Sequence, residues 1–248
     1  MPGGEEPARD QGFEAMPKWQ NLKSKSRRLN AVGPIATPSY SFGGIMSRMD
    51  NEDLNSGVNR DVRRFDRWAP TYDRSPLQKL YFEPVHAAML DLLARELKEA
   101  PGFIVDVGCG TGRLLRAASA RWPEARLFGV DPAEQMLSVA ARLNPHATFQ
   151  LAPAETLPFS DQTADLAFSS LSFHHWSNQA RGVQEIARVL RPGGFFCLAD
   201  HRFLLSRLFG GKVKSAREIR ALMTSAGLAV RMQKGLGIRF VLITLAQK

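Results

Sequence analysis

The stretch Asp106-Val107-Gly108-Cys109-Gly110-Thr111-Gly112-Arg113 decides the fold of this 248-residue chain. It follows the apolar run Phe103-Ile104-Val105 and leads into residues 114–118, whose composition is helical. A strand, a glycine turn and a helix N-terminus in this order are typical of a nucleotide-binding site. Glycine matters there because a side chain would hold the backbone away from the ligand.

The spacing of the glycines narrows the choice of ligand. A dinucleotide fingerprint, Gly-x-Gly-x-x-Gly, would have glycine where this chain has Arg113. The acid that ends the strand, Asp106, is unfavourable beside a pyrophosphate and suits a cationic amino group. S-adenosylmethionine has such an amino group, a cationic sulfonium and no phosphate. The turn therefore favours S-adenosylmethionine as the cofactor.

Five ordered segments resemble one protein family. Asp-x-Gly-x-Gly-x-Gly after a strand resembles motif I of the class I S-adenosylmethionine-dependent methyltransferases. Four further segments are similar, in order, to that family's second strand, adenine-side loop, fourth strand and turn before the fifth strand: residues 127–131, 154–159, 165–170 and 190–194. The segment 65–73, Phe-Asp-Arg-Trp-Ala-Pro-Thr-Tyr-Asp, adds a likeness to the ubiquinone/menaquinone-type small-molecule methyltransferases.

The resemblance implies a set of cofactor-binding residues. Asp106 would bind the ammonium group, and Asp131 would accept hydrogen bonds from both ribose hydroxyls, with helix capping as an alternative role for Asp131. Tyr72 and Trp68 would close over the sulfonium, although plain helix packing fits Trp68 equally well. The full set is Tyr72, Asp106, Gly108, Cys109, Gly110, Gly112, Asp131, Pro132, Ala154, Glu155 and Ser170.

The adenine side departs from the family pattern. The family commonly has Asp-Ala-Glu in this loop, whereas this chain has Pro153-Ala154-Glu155. Proline replaces the acid at the adenine amino group and also removes a backbone N–H. Adenine recognition would then depend on the Ala154 backbone and apolar packing, or Glu155 would replace the missing acid.

Two adjacent histidines follow the predicted fourth strand. Methyl transfer from a sulfonium needs alignment and exclusion of water, and a general base when the acceptor is a hydroxyl or an acidic carbon. His174 and His175 are the candidate bases, because imidazole titrates in the required range. The alternative is that one packs against the cofactor and the other hydrogen-bonds backbone. Asp200-His201 is a weaker second candidate, and no metal site is predicted, since adjacent histidines lack zinc-ligand spacing.

Alternating strand and helix patterns predict an α/β fold. We expect a Rossmann-like, doubly wound, mostly parallel seven-stranded sheet with one antiparallel strand from a C-terminal hairpin. Residues 1–58 form a predicted tail of low order, and residues 59–248 form the methyltransferase domain, divided into cap helices (59–100) and a sheet core (101–248). Three local features are also predicted: Pro70 interrupting the first helix, Pro132 in the first turn of the helix after the second strand, and residues 191–194 as a turn.

The charge of the chain is concentrated at one end. The net charge is +9, and residues 201–248 hold ten Lys and Arg against one acid, Glu218. Such a field attracts an acidic substrate, nucleic acid or anionic lipid. The alternative is a solvated basic face, which is favoured because these Lys and Arg residues are spread over several predicted elements. Two cysteines without a disulfide pattern, no apolar run of transmembrane length and no signal peptide predict a cytoplasmic protein.

The acceptor is constrained by two signatures that do not occur after the fourth strand. Amino-methylating nucleic-acid enzymes carry Asn/Asp-Pro-Pro-Tyr/Phe there, and cytosine C5 enzymes carry Pro-Cys. Their absence favours a small-molecule acceptor methylated on oxygen or carbon. An RNA or protein methyltransferase using the basic C-terminal segment, or a non-catalytic binding protein motivated by Pro153, are the alternatives. The sequence does not indicate the oligomeric state.

Overall fold

A single mixed sheet organises the computed structural model, which describes residues 57–76, 78–202, 212–237 and 240–248. The predicted tail lies outside the described residues up to residue 56. The strands are β1 Phe103–Val107, β2 Arg126–Asp131, β3 Ala147–Leu151, β4 Ala164–Ser170, β5 Leu190–His201, β6 Ala229–Leu236 and β7 Val241–Gln247. Their order is β3-β2-β1-β4-β5-β7-β6. Among the described strands, β7 alone runs opposite to the other six, and it pairs antiparallel with β5 and β6, which confirms the predicted fold class.

Helices cover both faces of the sheet. They are α1 Gly57–Tyr72, α2 Glu83–Glu96, α3 Arg113–Arg121, α4 Glu134–Leu143, α5 Gln179–Val189 and α6 Ala216–Ser225, with a π-helical turn at Gln78–Phe82 and a 3-10 turn at Phe173–His175. Side chains of a strand alternate between faces. Ile104 accordingly packs with α2 and α3, whereas Val105 packs with α5 and α6. Among the described residues, no helix has the length and apolar content to cross a membrane.

Three local predictions are wrong. Helix α1 continues past Pro70 to Tyr72, because a proline near a helix end disturbs little of the preceding ladder. Pro132 is not in the first turn of α4, since Ala133 is the N-cap and its N–H donates to the Asp131 carboxylate. Residues 191–194 do not separate α5 from the fifth strand. They form a bulge inside β5, between the pairs Ala164–Leu190 and Leu166–Phe195.

The strand order places the ligand-binding edge. The order reverses between β1 and β4, and ligands of open α/β sheets bind at the carboxyl ends of the strands at such a switch point. The segments that follow β1, β2 and β4 meet at this edge. Helix α1 packs onto α4 beside it, through an apolar cluster that includes Phe65 and Met136.

Candidate active site

A cleft with about 1020 Å³ of empty space, partly open to solvent, lies at the switch point. We call the side formed by the carboxyl ends of β1, β2 and β4 and by the loops after β1, β2 and β3 the sheet wall; its predicted members are Asp106, Gly108, Cys109, Gly110, Asp131, Pro132, Ala154, Glu155 and Ser170. We call the opposite side the helical wall; it comprises Asp61, Val62, Phe65, Tyr72, Gln78, Phe82 and His86, and we count with it His175, which pairs with Asp61. Of the predicted site residues, Gly112 and His174 do not line the cleft.

The three glycines of the turn are required for different reasons. A methyl group on Gly108 would lie 2.2 Å from Ser172 Oγ, and one on Gly112 would lie 2.6 Å from Asn144 Nδ2. These two glycines therefore permit packing behind the turn. Gly110 has φ of +52° and open space where a methyl group would point. Its backbone lines the cleft with no protein atom packed against it, so a ligand can approach it closely.

Asp131 connects the end of β2 to the glycine turn. Its Oδ2 accepts a hydrogen bond from Gly110 N–H at 2.9 Å, and its Oδ1 accepts one from Ala133 N–H at 2.9 Å. Burial raises the pKa of Asp131 to about 6, although both backbone donors oppose that shift. Each carboxylate oxygen retains acceptor capacity for a ligand hydroxyl.

Asp106 supplies a second buried carboxyl at the same edge. It is 2% exposed and lines the cleft. Burial and the nearby Asp131 raise the pKa of Asp106 well above its usual range. A cation bound in the cleft would compensate both effects and favour the ionised form.

The loop after β3 is hydrogen-bonded to the segment that precedes α5. Glu155 Oε1 accepts a hydrogen bond from Asn178 N–H at 2.7 Å, just before α5. Ala154 is buried and Glu155 half-buried, and both line the cleft with Pro153. One oxygen of Glu155 is therefore already committed to the fold.

His175 lies in the cleft and is held from the helical wall. The chain changes direction directly after β4, at Leu171, whose φ is +55°. It then enters the 3-10 turn that contains His175. His175 Nδ1 lies 2.9 Å from Asp61 Oδ2, and Asp61 also pairs with Arg64. Because a carboxylate only accepts, Nδ1 carries the hydrogen and Nε2 keeps a lone pair. Burial lowers the pKa of His175 to about 4.

His174 and Trp68 lie elsewhere. His174 is buried behind the cleft, and its Nδ1 lies 2.7 Å from Asp200 Oδ1. Trp68 is 50% exposed and packs edge-on against Phe65, without lining the cleft. Adjacent positions in the chain thus occupy different environments, and only His175 faces the cleft.

Comparisons with known proteins agree with this architecture. Residues 105–198 match a family described as "Methyltransferase domain". The chain is 34% identical over 133 residues to demethylmenaquinone methyltransferase of Chlorobaculum parvum, across 52% of this chain and 55% of that protein. It is 31% identical over 180 residues to malonyl-[acyl-carrier protein] O-methyltransferase of Hahella chejuensis, across 62% and 64% of the two chains. A SAM-dependent methyltransferase from Aquifex aeolicus has a TM-score of 0.60 at 19% identity, across 75% and 98% of the chains.

Residues 105–198 carry a methyltransferase domain, and the sheet around them has the fold of S-adenosylmethionine-dependent methyltransferases. The predicted family and cofactor are thereby confirmed. This chain spans 55% of the length of the first curated relative and 64% of the second.

The methyltransferase cleft fits S-adenosylmethionine in its polar groups. Asp106 offers a buried negative group for the ammonium, and the Gly110 backbone is accessible. Ser170 Oγ and Gln78 Oε1 are buried and have no hydrogen-bond partner among the described residues, and both residues line the cleft. Buried polar atoms without partners indicate a bound group with complementary donors or acceptors.

Sequence patterns did not identify Asp61 or Gln78 as site residues of the methyltransferase. Asp61 is 114 positions from its partner His175, and its carboxyl resembles any other on a charged helix. Gln78 lies on a short π-helical turn that has no sequence signature. The likeness of residues 65–73 to a methyltransferase family was the one signal that this region contributes to the site.

Proposed function

We propose that the methyltransferase transfers a methyl group from S-adenosylmethionine to oxygen or carbon of a small-molecule acceptor by in-line displacement. One curated relative is named for demethylmenaquinone and another for a malonyl group carried on an acyl-carrier protein, and in both names the acceptor group is small. The single observation that carries the proposal is the cleft itself. It joins the glycine turn and two buried acids on one side to the His175–Asp61 pair on the other.

The sheet wall is assigned to the cofactor. Asp106 binds the ammonium group, Gly110 gives close backbone approach, and Asp131 accepts from the ribose hydroxyls. Ala154 and the second oxygen of Glu155 serve the adenine edge. The remaining residues assigned to the cofactor on the sheet wall are Gly108, Cys109, Pro132 and Ser170, with Gly112 behind it, and Tyr72 contributes from the helical wall. Gly112 acts indirectly, since it permits the turn to pack against Asn144.

His175 is assigned as the general base. Bound S-adenosylmethionine supplies an activated methyl group, so the protein's task is to align the acceptor, exclude water and remove a proton. His175 Nε2 accepts the acceptor's proton, while Asp61 fixes the ring through Nδ1. His174, the other predicted base, lies outside the cleft with its ring centroid 4.0 Å from that of His175, and supports the His175 ring by packing.

A labelling experiment tests this function. The protein is incubated with S-adenosylmethionine labelled in the methyl group and a host metabolite extract, and labelled products are separated and identified. We expect label in a small molecule carrying a new O-methyl or C-methyl group, at a level strongly reduced by His175→Gln. Label recovered only in nucleic acid or protein, or no transfer despite cofactor binding, would contradict the proposal.

A nucleic-acid or protein acceptor is the second candidate. It is favoured by the exposed cations Arg217, Arg220, Arg231 and Lys234 in the basic C-terminal segment. Acceptor affinity that falls steeply with salt would support it, because phosphate contacts release counterions. A flat salt response would support the small-molecule acceptor.

We also propose that the protein works in a reducing compartment, the cytoplasm. Cys109 and Cys197 are both free and buried. Burial raises the pKa of each thiol, so neither is an activated nucleophile.

A further inference from the structure

A second group of polar side chains lies behind the cleft, at the end of β5. His174, Asp200 and His201 each offer one potential ligand atom, and these three atoms all lie within 4.8 Å of one another. The three residues are 4%, 1% and 9% exposed. Charged and polar groups are rarely collected at such burial without a compensating partner.

The Asp200 carboxylate is satisfied on one oxygen only. Its Oδ1 lies 2.7 Å from His174 Nδ1 and accepts a hydrogen bond from His201 N–H at 2.8 Å. Its Oδ2 is buried and has no hydrogen-bond partner among the described residues. A buried carboxylate oxygen without a partner costs free energy, and a bound ion is one of the few ways to recover it.

The surroundings prepare the histidines as ligands. Tyr81 Oη lies 3.0 Å from His201 Nδ1, and the two rings are stacked. Hydrogen bonds to a metal ligand's second nitrogen fix its tautomer and orientation. Both ends of the cluster are held by regular structure, β5 and the 3-10 turn after β4.

We propose that His174, Asp200 and His201 bind a divalent first-row transition-metal ion. Two imidazoles and one carboxylate suit Zn²⁺, Fe²⁺, Co²⁺ or Ni²⁺, whereas Mg²⁺ and Ca²⁺ prefer oxygen ligands alone. Three protein ligands leave a coordination position for water or another ligand. Metal binding here does not require the proposed methyl transfer, although the His174 ring packs against that of His175.

The sequence predicted no metal because the adjacent residues His174 and His175 lack zinc-ligand spacing. Adjacent histidines point in different directions here, and His175 serves the cleft. The structure instead joins His174 to Asp200, 26 positions later in the chain. This long-range pairing adds a carboxylate ligand that the spacing of the two histidines does not indicate.

Metal binding to the wild-type chain is the first test. Protein freed of metal with a chelator is titrated with Co²⁺, followed by the visible d–d absorption of the ion, and the bound Co²⁺ is then displaced with Zn²⁺ in a calorimeter. We expect saturable binding of a single ion with the intense absorption of a low-coordinate site, weakening as the pH falls, because the ligands must be deprotonated. No saturable binding, or the weak spectrum of hexaaquo cobalt alone, would overturn the proposal.

Variants then locate the ion. His174→Gln and His201→Gln should each weaken Co²⁺ binding more than Tyr81→Phe, for which the loss of an orienting hydrogen bond predicts a change of about tenfold. The controls are His175→Gln, adjacent in the chain but outside the cluster, and His146→Gln, which is exposed. Thermal unfolding of each metal-free variant checks folding. If His174→Gln does not fold, the Co²⁺ affinities of His201→Gln and Tyr81→Phe test the site. Unchanged Co²⁺ affinity in both variants would contradict the proposed ligands.

Discussion

The two walls of the cleft are built by different means. The sheet wall gathers residues that directly follow parallel strands, and its central hydrogen bond joins Gly110 to Asp131, only 21 positions apart. The helical wall reaches the cleft across the chain, and its hydrogen bond from His175 to Asp61 spans 114 positions. On the proposed assignment, cofactor recognition depends on the sheet wall, whereas the acceptor side depends on how α1 packs against the rest of the domain.

Helix α1 is anchored by a few identifiable contacts. Phe65 and Tyr72 pack with Met136 of α4, and Asp66 Oδ1 accepts a hydrogen bond from Gln135 N–H at 2.8 Å. Just beyond the helix, Asp73 pairs with Arg116 of α3 at 2.7 Å. Changes in the helical wall should therefore alter turnover, and changes in the sheet wall should alter S-adenosylmethionine binding.

The largest expected effect is that of His175→Gln. Removing a general base lowers turnover by about 100-fold or more. S-adenosylmethionine affinity, measured by calorimetry, should stay unchanged because the cofactor contacts lie on the sheet wall. If His175→Gln instead had normal turnover and a low affinity for S-adenosylmethionine, His175 would belong to the cofactor site and not to the acceptor side.

A smaller loss of turnover is expected for Asp61→Asn. Asp61 positions His175 through a hydrogen bond to a charged group, and such a bond contributes about 1.5 kcal/mol. Its loss predicts turnover that is lower by about tenfold. The matched control is Asp66→Asn on the same helix, which touches Gln135 rather than His175. Equal losses in both variants would mean that Asp61 only holds α1 in place.

Acidification should weaken cofactor binding through the sheet wall. Burial raises the pKa of Asp131 to about 6 and raises that of Asp106 as well, and both must be ionised to bind the cofactor. Protonation of Asp131 alone should lower the affinity at pH 5 to about one tenth of its value at pH 7, and protonation of Asp106 should lower it further. The cofactor's amino group stays protonated over this range. Calorimetric affinity that is flat from pH 7 to pH 5, in protein shown to be folded, would refute these roles.

The smallest effect is expected for Gly110→Ala. Both Gly110 and Gly193 have positive φ and open space around a would-be methyl group, so alanine at either should cost about 1–2 kcal/mol of stability. Only Gly110 lines the cleft. S-adenosylmethionine affinity should fall several-fold for Gly110→Ala and not for Gly193→Ala, when each is compared by calorimetry and thermal unfolding.

The sheet wall could be predicted from the sequence because its information is local. Strand β1 contains the apolar run that precedes the glycine turn in the sequence, and the order of strands and helices dictates which loops share an edge. The errors arose where local signals compete with tertiary contacts. Pro132 has the composition of a first helical turn, but the Asp131 carboxylate binds Ala133 N–H and delays the helix.

The helical wall could not be predicted to the same depth. No periodicity tells which charged residue of α1 faces the cleft, so Asp61 was not identified. Nor does local sequence distinguish His174 from His175, since their environments are set by Asp200 of β5 and by Asp61 of α1. The resemblance to a methyltransferase family indicated that this region matters without assigning the atoms.

One binding measurement tests the central claim, that the sheet wall holds S-adenosylmethionine. The wild-type protein and Asp131→Ala are titrated with S-adenosylmethionine in a calorimeter, with thermal unfolding of both to show that each is folded. Loss of hydrogen bonds between a carboxylate and two ribose hydroxyls predicts affinity that is lower by about 10- to 100-fold in the variant. Unchanged affinity in folded Asp131→Ala would contradict the account.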